Sequence, residues 1–104
     1  MKVTEYIRAN GSIPFREWYN KLNFQAAAKV AVALVRLEQG NTSNIKWFSG
    51  LGEYKIDWGA GYRIYLLQDG DDLIILFGGG TKTQQQRDIK RVRELIQEYK
   101  KRRR

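Results

Sequence analysis

Two stretches near the start of the chain have apolar residues spaced three or four positions apart, the spacing of one helix face. The first stretch follows Pro14, a residue that the opening turn of a helix tolerates, and its apolar stripe is Phe15, Trp18, Tyr19 and Leu22. The second follows Asn23, a good helix cap, and ends at Gly40; its stripe is Ala27, Val30, Ala31, Leu34 and Leu37. The spacing predicts a helical hairpin over residues 14–22 and 24–39.

The pattern then changes to a period of two, which is typical of strands. Tyr54, Ile56 and Trp58 alternate with the charged residues Glu53, Lys55 and Asp57. A turn at Gly59–Gly61 leads into a returning strand over residues 62–67, and the apolar run Leu73–Phe77 predicts a third strand that ends at the glycines 78–80. Another short strand is predicted over residues 2–8. We expect residues 53–77 to form an antiparallel meander.

The last part of the chain returns to helical spacing. Thr83 and Gln86 have the separation of a capping box, and the apolar stripe that follows is Ile89, Val92, Ile96 and Tyr99. The whole chain, residues 1–104, is predicted to be one α+β domain with the order β-α-α-β-β-β-α and a basic tail at about residues 100–104. In this arrangement the helical hairpin packs on a mostly antiparallel four-stranded sheet, whose polar face is left uncovered.

The net charge of +8 is concentrated near the C-terminus. Residues 1–81 hold nine basic and eight acidic residues, whereas residues 82–104 hold ten basic and three acidic ones. A local excess of this kind favours a polyanion or an acidic protein as the partner. A solubilising tail is the alternative for residues 100–104.

Two missing residue types limit the chemistry. The chain has no cysteine and no histidine, so disulfides, thiol catalysis and histidine general bases are excluded. Any catalysis must use carboxylates, Tyr, Lys and Arg, and we expect neither a metal nor another cofactor. The charged N-terminus and the absence of a long apolar run predict a soluble cytoplasmic protein without a membrane segment.

Polar residues of the meander form the candidate site. A three-residue turn at Gly59–Gly61 would place Asp57 opposite Arg63 and Lys55 opposite Tyr65, on the polar face of the sheet. Cleavage of RNA through its own 2′-hydroxyl needs cations at the phosphate and groups that move two protons. Arg63 and Lys82 suit the first task, and Tyr65 or Lys55 the second. Alternatively, Asp57 and Arg63 form an ordinary ion pair on a solvated face.

Three segments resemble the RelE/ParE toxin superfamily and, within it, the HigB-like branch of phage-derived addiction module killer proteins. They are Gly50–Ile56, Gly61–Tyr65 and Gly78–Gln84, followed by Asp88 and Ile89. The resemblance covers almost the whole chain in order. It implies a RelE-like fold and the toxin of a type II toxin-antitoxin system, whose cognate antitoxin commonly carries a helix-turn-helix domain.

Many members of this superfamily cleave mRNA on the ribosome, and the resemblance carries that activity to particular residues. Arg63 matches the strand arginine that holds the scissile phosphate, Lys82 the basic position after the last strand, and Lys55 a basic residue of the first meander strand. Asp57 stands where ribosome-dependent relatives tend to have a second lysine. The candidate site is therefore Arg63, Lys82, Tyr65 and Lys55, with Gln84, Arg87, Lys90 and Arg91 as candidate RNA-binding residues.

Two other functions fit the same sequence. A ParE-like inhibitor of DNA gyrase needs no catalytic residues, so Arg63 and Lys82 would only be contacts. A noncatalytic module would bind nucleic acid or an acidic segment of an antitoxin through its basic last helix.

Overall fold

The computed structural model describes residues 1–103. The strands are β1 (Lys2–Glu5), β2 (Ile45–Phe48), β3 (Leu51–Ile56), β4 (Tyr62–Asp69) and β5 (Leu73–Thr81). The helices are α1 (Pro14–Asn20), α2 (Phe24–Glu38) and α3 (Gln85–Arg102), and a 3₁₀ turn, Lys82–Gln84, precedes α3. The three helices and the α+β class agree with the sequence prediction.

The strands form one mixed sheet of five strands in the order β1-β5-β4-β3-β2. β1 runs parallel to β5, and the other neighbouring pairs are antiparallel. The predicted count of four strands is wrong because residues 45–48 form β2. A two-residue turn at Ser49 and Gly50, with φ angles of 51° and 80°, returns the chain from β2 to β3.

Helices cover both faces of the sheet. α1 and α2 pack on one face, where their core residues meet Tyr54, Ile64 and Leu76. On the other face, Val92, Leu95 and Ile96 of α3 pack against β4 and β5. The prediction of an uncovered polar face is wrong, because this face also carries large apolar side chains such as Phe77, which α3 removes from water.

The register between β3 and β4 differs from the prediction. The turn is longer than three residues, so Ile56 pairs with Tyr62, Lys55 with Arg63 and Glu53 with Tyr65. The predicted Asp57–Arg63 and Lys55–Tyr65 pairs are therefore wrong. Because the shift is two residues, each odd-numbered side chain stays on the face predicted for it.

β5 continues through the glycine run that was predicted to end it. Gly78, Gly79 and Gly80 pair with Tyr65, Ile64 and Arg63 of β4. Side chains from both faces approach these glycines closely. A Cβ at Gly79 would overlap the ring of Trp18 from α1, and a Cβ at Gly80 would overlap the carboxylate of Asp88 from α3. The glycines thus remain in the ladder and allow a helix to approach on each side.

The helix boundaries confirm one predicted cap and correct another. The Asn23 side chain accepts a hydrogen bond from the Ala26 N–H at 2.9 Å and caps α2. The predicted capping box of Thr83 and Gln86 is wrong: residues 82–84 form the 3₁₀ turn, and the cap residue of α3 is Gln84. In α2 the stripe is also rotated, since Ala26 and Ala33 are buried in place of Ala27 and Ala31.

The end of α3 is tied to the start of the chain. Arg8 and Tyr6 both donate hydrogen bonds to Glu98, and Arg102 donates one to the Ile7 carbonyl. Residues 100–102 lie in α3, and Arg103 pairs with Asp69 at 3.3 Å. Arg104, the last residue of the predicted tail, lies outside the described residues.

Candidate active site and basic surface

The candidate site is built around a buried ion pair between neighbouring strands. Arg63 Nε of β4 lies 3.5 Å from Glu53 Oε2 of β3, and the two side chains are only 6% and 7% exposed. Arg63 Nη1 also donates a hydrogen bond of 2.7 Å to the Gly61 carbonyl oxygen. Arg63 is thus held by one hydrogen bond and one ion pair, and its Nε makes no hydrogen bond within the described residues.

The first turn of α3 completes the support of Glu53. Gln85 Nε2 donates a hydrogen bond of 2.8 Å to Glu53 Oε2, whereas the predicted Gln84 is exposed in the preceding turn. Glu53 therefore accepts a hydrogen bond from α3 while it faces Arg63. The sequence prediction did not include Gln85, because a polar residue in a first helical turn gives no sign of its partner.

Tyr65 lies on the same face as Arg63 and is fully buried. Its hydroxyl has no partner that meets hydrogen-bond geometry within the described residues. Burial raises the pKa of Tyr65, and the neighbouring Glu53 carboxylate raises it further. Tyr65 therefore stays protonated at neutral pH, which does not suit it to accept a proton.

Asp88 of α3 is a second acid near the site, and it is partly buried. Its Oδ2 atom is buried against Gly80, without a hydrogen-bond partner in the part of the chain described. Burial raises the pKa of Asp88, an effect that the nearby Arg87 partly opposes. The glycine run was a signal for this approach, because only a residue without a Cβ leaves room for the carboxylate.

Arg63 and Lys82 meet at Gly61. A Cβ placed on Gly61 would lie 3.4 Å from Arg63 Nη1 and 3.3 Å from the Lys82 Cβ. The Lys82 N–H also donates a hydrogen bond to the Ala60 carbonyl, which fixes the turn after β5 against the β3–β4 loop. Two of the predicted site residues are therefore brought together, with Arg63 buried and Lys82 exposed.

The other candidates are exposed. Lys55 lies opposite Arg63 in the ladder and is open to solvent. The predicted RNA-binding residues Arg87, Lys90 and Arg91 are exposed along α3, together with Arg93. We call these four residues the α3 basic surface. Asp57 is exposed in the β3–β4 loop and takes no part in the buried cluster.

Residues 1–103 contain no group of three or more His, Cys, Asp or Glu side chains arranged to hold a metal ion. Among the described helices, none combines the length and apolar character needed to cross a membrane.

Comparisons with known proteins give one clear relative. No protein-family model matches the chain. No solved structure matches it either. The chain is 40% identical over 94 residues to a protein of Haemophilus influenzae described as an uncharacterized protein, and the match covers 88% of this chain and 95% of that protein. The chain therefore belongs to the same protein family as this Haemophilus influenzae protein.

Proposed function

We propose that the chain is a RelE-like toxin of a type II toxin-antitoxin system, and that it acts in the cytoplasm as a ribosome-dependent mRNA endoribonuclease. The observation that most supports this is the convergence of Arg63 and Lys82 at Gly61. The Arg63 guanidinium and the base of the Lys82 side chain lie beside the same glycine. Two cations that can reach one phosphate suit a group that gains negative charge during the reaction.

The proposed reaction uses the RNA as its own nucleophile. The 2′-oxygen forms a bond to phosphorus, the bond from phosphorus to the 5′-oxygen breaks, and the proton of the 2′-hydroxyl passes to an acceptor. A donor supplies a proton to the leaving 5′-oxygen. The products are a 2′,3′-cyclic phosphate and a 5′-hydroxyl, and the step requires no redox partner.

Burial divides the four candidate catalytic residues into an exposed pair, Lys82 and Lys55, and a buried pair, Arg63 and Tyr65. Lys82 and Lys55 are exposed, so in this proposal Lys82 contacts the phosphate and Lys55 takes part in proton transfer. Arg63, whose charge is paired with Glu53, supports the phosphate site from its buried side. Tyr65, whose hydroxyl is enclosed under α3, is a positioning residue.

In this proposal the α3 basic surface binds the RNA. Its cations, with Gln84 beside them, would contact ribosomal or messenger RNA, and each phosphate neutralised releases counterions. The cognate antitoxin, commonly one with a helix-turn-helix domain, would neutralise the chain between episodes of growth arrest.

Induction in cells that lack the neighbouring antitoxin gene tests the proposal. Message ends are mapped for the unaltered chain, for Lys82→Ala and for Lys2→Ala. The last variant removes an exposed lysine that pairs with Leu73 at the start of β5, whereas Lys82 follows the end of β5. We expect cuts within translated regions, at least tenfold fewer with Lys82→Ala and an unchanged number with Lys2→Ala. Equal cutting by both variants contradicts the assignment of Lys82.

A noncatalytic nucleic-acid or antitoxin-binding module is the second candidate. It is favoured by the burial of Arg63 and Tyr65, which leaves only lysines open at the site. The same induction separates the functions. Growth arrest without cuts would indicate a ParE-like gyrase inhibitor, and an absence of both would indicate the binding module.

A further inference from the structure

The outer face of α2 carries apolar side chains that nothing in the described chain covers. Phe24 is 89% exposed, Val32 48% and Val35 50%. Ala28 is exposed between them. At 100° per residue these four positions fall on one side of the helix, and they extend over about 16 Å of its length. We call them the α2 stripe.

A basic groove lies beside the α2 stripe. Lys29 and Arg36 of α2, one on each side of Val32 in the sequence, line a groove between α2 and the end of β3. Lys55 and Asp57 line the opposite wall, and the two cations of α2, Lys29 and Arg36, outnumber the one carboxylate of the groove. The Lys29 ammonium lies 5.7 Å from the centre of the Trp58 ring, which holds it at the groove.

We propose that the α2 stripe and this groove bind an acidic amphipathic helix of a partner protein. The apolar face of such a helix would cover the stripe, and its carboxylates would pair with Lys29 and Arg36. A second copy of this chain fits less well, since it would bring the same cations and a net charge of +8. RNA would leave the aliphatic side chains of the stripe in water.

The inference is independent of the proposed RNA cleavage. α2 packs on the face of the sheet opposite to α3, so the partner helix and the α3 basic surface lie on different sides of the molecule. The partner helix can therefore bind even if the chain does not cleave RNA, and the chain can cleave RNA even if no helix binds here.

A synthetic peptide tests the site on the full chain. The probe is a 15-residue peptide with Leu at every third or fourth position, four Glu on the other face and Ala elsewhere, and its control has Gln in place of Glu. We expect saturable NMR shifts at the α2 stripe and at Lys29. We expect at least tenfold weaker binding of the Gln peptide and of the Lys29→Glu/Arg36→Glu variant.

Matched variants distinguish binding at this site from a general effect of the net charge of the chain. Lys100→Glu/Lys101→Glu makes the same change in net charge at exposed positions of α3 and should leave the affinity within about twofold. Val35→Glu should weaken binding, whereas Ile7→Glu, at another exposed apolar residue, should not. Absence of saturable shifts, shifts centred on α3, or equal weakening by both double variants would overturn the proposal.

Discussion

Glu53 and Arg63 form an ion pair of 3.5 Å between adjacent strands, with both side chains almost completely excluded from water. Each charge there relies on the other, because a single buried charge loses its hydration without compensation. The Gln85 amide and the Gly61 carbonyl bind the outer sides of the pair. The site that we assign to phosphate binding is therefore also a structural element of the sheet.

Arg63→Ala should destabilise the fold strongly. It leaves the Glu53 carboxylate buried without its cation, which typically costs about 3–5 kcal/mol. Arg16→Ala is the matched control, because it breaks an exposed pair with Glu5 and should destabilise the fold far less. Urea unfolding of the two variants checks this. Similar losses of the free energy of unfolding would show that the buried pair contributes no more to stability than the exposed pair does.

Tyr65→Phe should leave stability nearly unchanged or raise it. The hydroxyl that is removed is buried without a hydrogen-bond partner in the described chain, so its loss costs no hydrogen bond. Tyr6→Phe is the comparison, because the Tyr6 hydroxyl donates to Glu98 at 2.6 Å and accepts from Arg102, and it should cost about 1–3 kcal/mol. Thermal unfolding gives the order of the two variants, and the reverse order would refute this account of Tyr65.

Gly79→Ala should destabilise more than Gly78→Ala. The new methyl group at position 79 would overlap the Trp18 ring and push α1 from the sheet, a cost of about 1–3 kcal/mol. At position 78 the nearest atom, Val92 Cγ2, is 3.5 Å away, so the methyl group fits. Chemical denaturation of both variants measures the difference. Equal stability would mean that α1 does not depend on the close approach at Gly79.

Glu98 should make stability depend on acid pH. Its hydrogen bonds from Arg8 and Tyr6 lower the pKa of Glu98 from 4.5 to about 2. A lowered pKa in the folded chain means that this stabilisation is present above about pH 4.5 and is lost as the pH falls towards 2.

Glu98→Gln should therefore remove part of the fall in the free energy of unfolding between these pH values. Glu94→Gln, at an exposed position one turn earlier on α3, is the control and should keep it. The comparison is made by denaturant titration at several pH values. If the free energy of unfolding falls equally with pH in the unaltered chain, in Glu98→Gln and in Glu94→Gln, the assigned role of Glu98 is contradicted.

The local elements could be predicted because each has its own signal. The spacing of Phe15 and Trp18, the cap at Asn23 and the stripe of α3 all act within one helix. β2 was not predicted, because four residues before a Ser-Gly turn give a weak strand pattern, and pairing with β3 supplies the missing stabilisation.

The candidate site could be predicted only in part. Arg63 and Lys82 were placed together because both follow from the order of strand, glycine run and helix. Their environment could not be predicted, since it depends on where α3 packs. α3 encloses Tyr65, brings Gln85 to Glu53 and puts Asp88 over Gly80, and all of these are contacts between residues distant in sequence.

The most direct test of the proposed function is a purified cleavage reaction. The chain is added to ribosomes stalled on a defined message, and to the same message without ribosomes, and the ends of the RNA are analysed. We expect cuts only on the ribosome, with 2′,3′-cyclic phosphate and 5′-hydroxyl ends, lost with Lys82→Ala and retained with Lys2→Ala. An intact message on ribosomes that bind the folded chain would contradict the account.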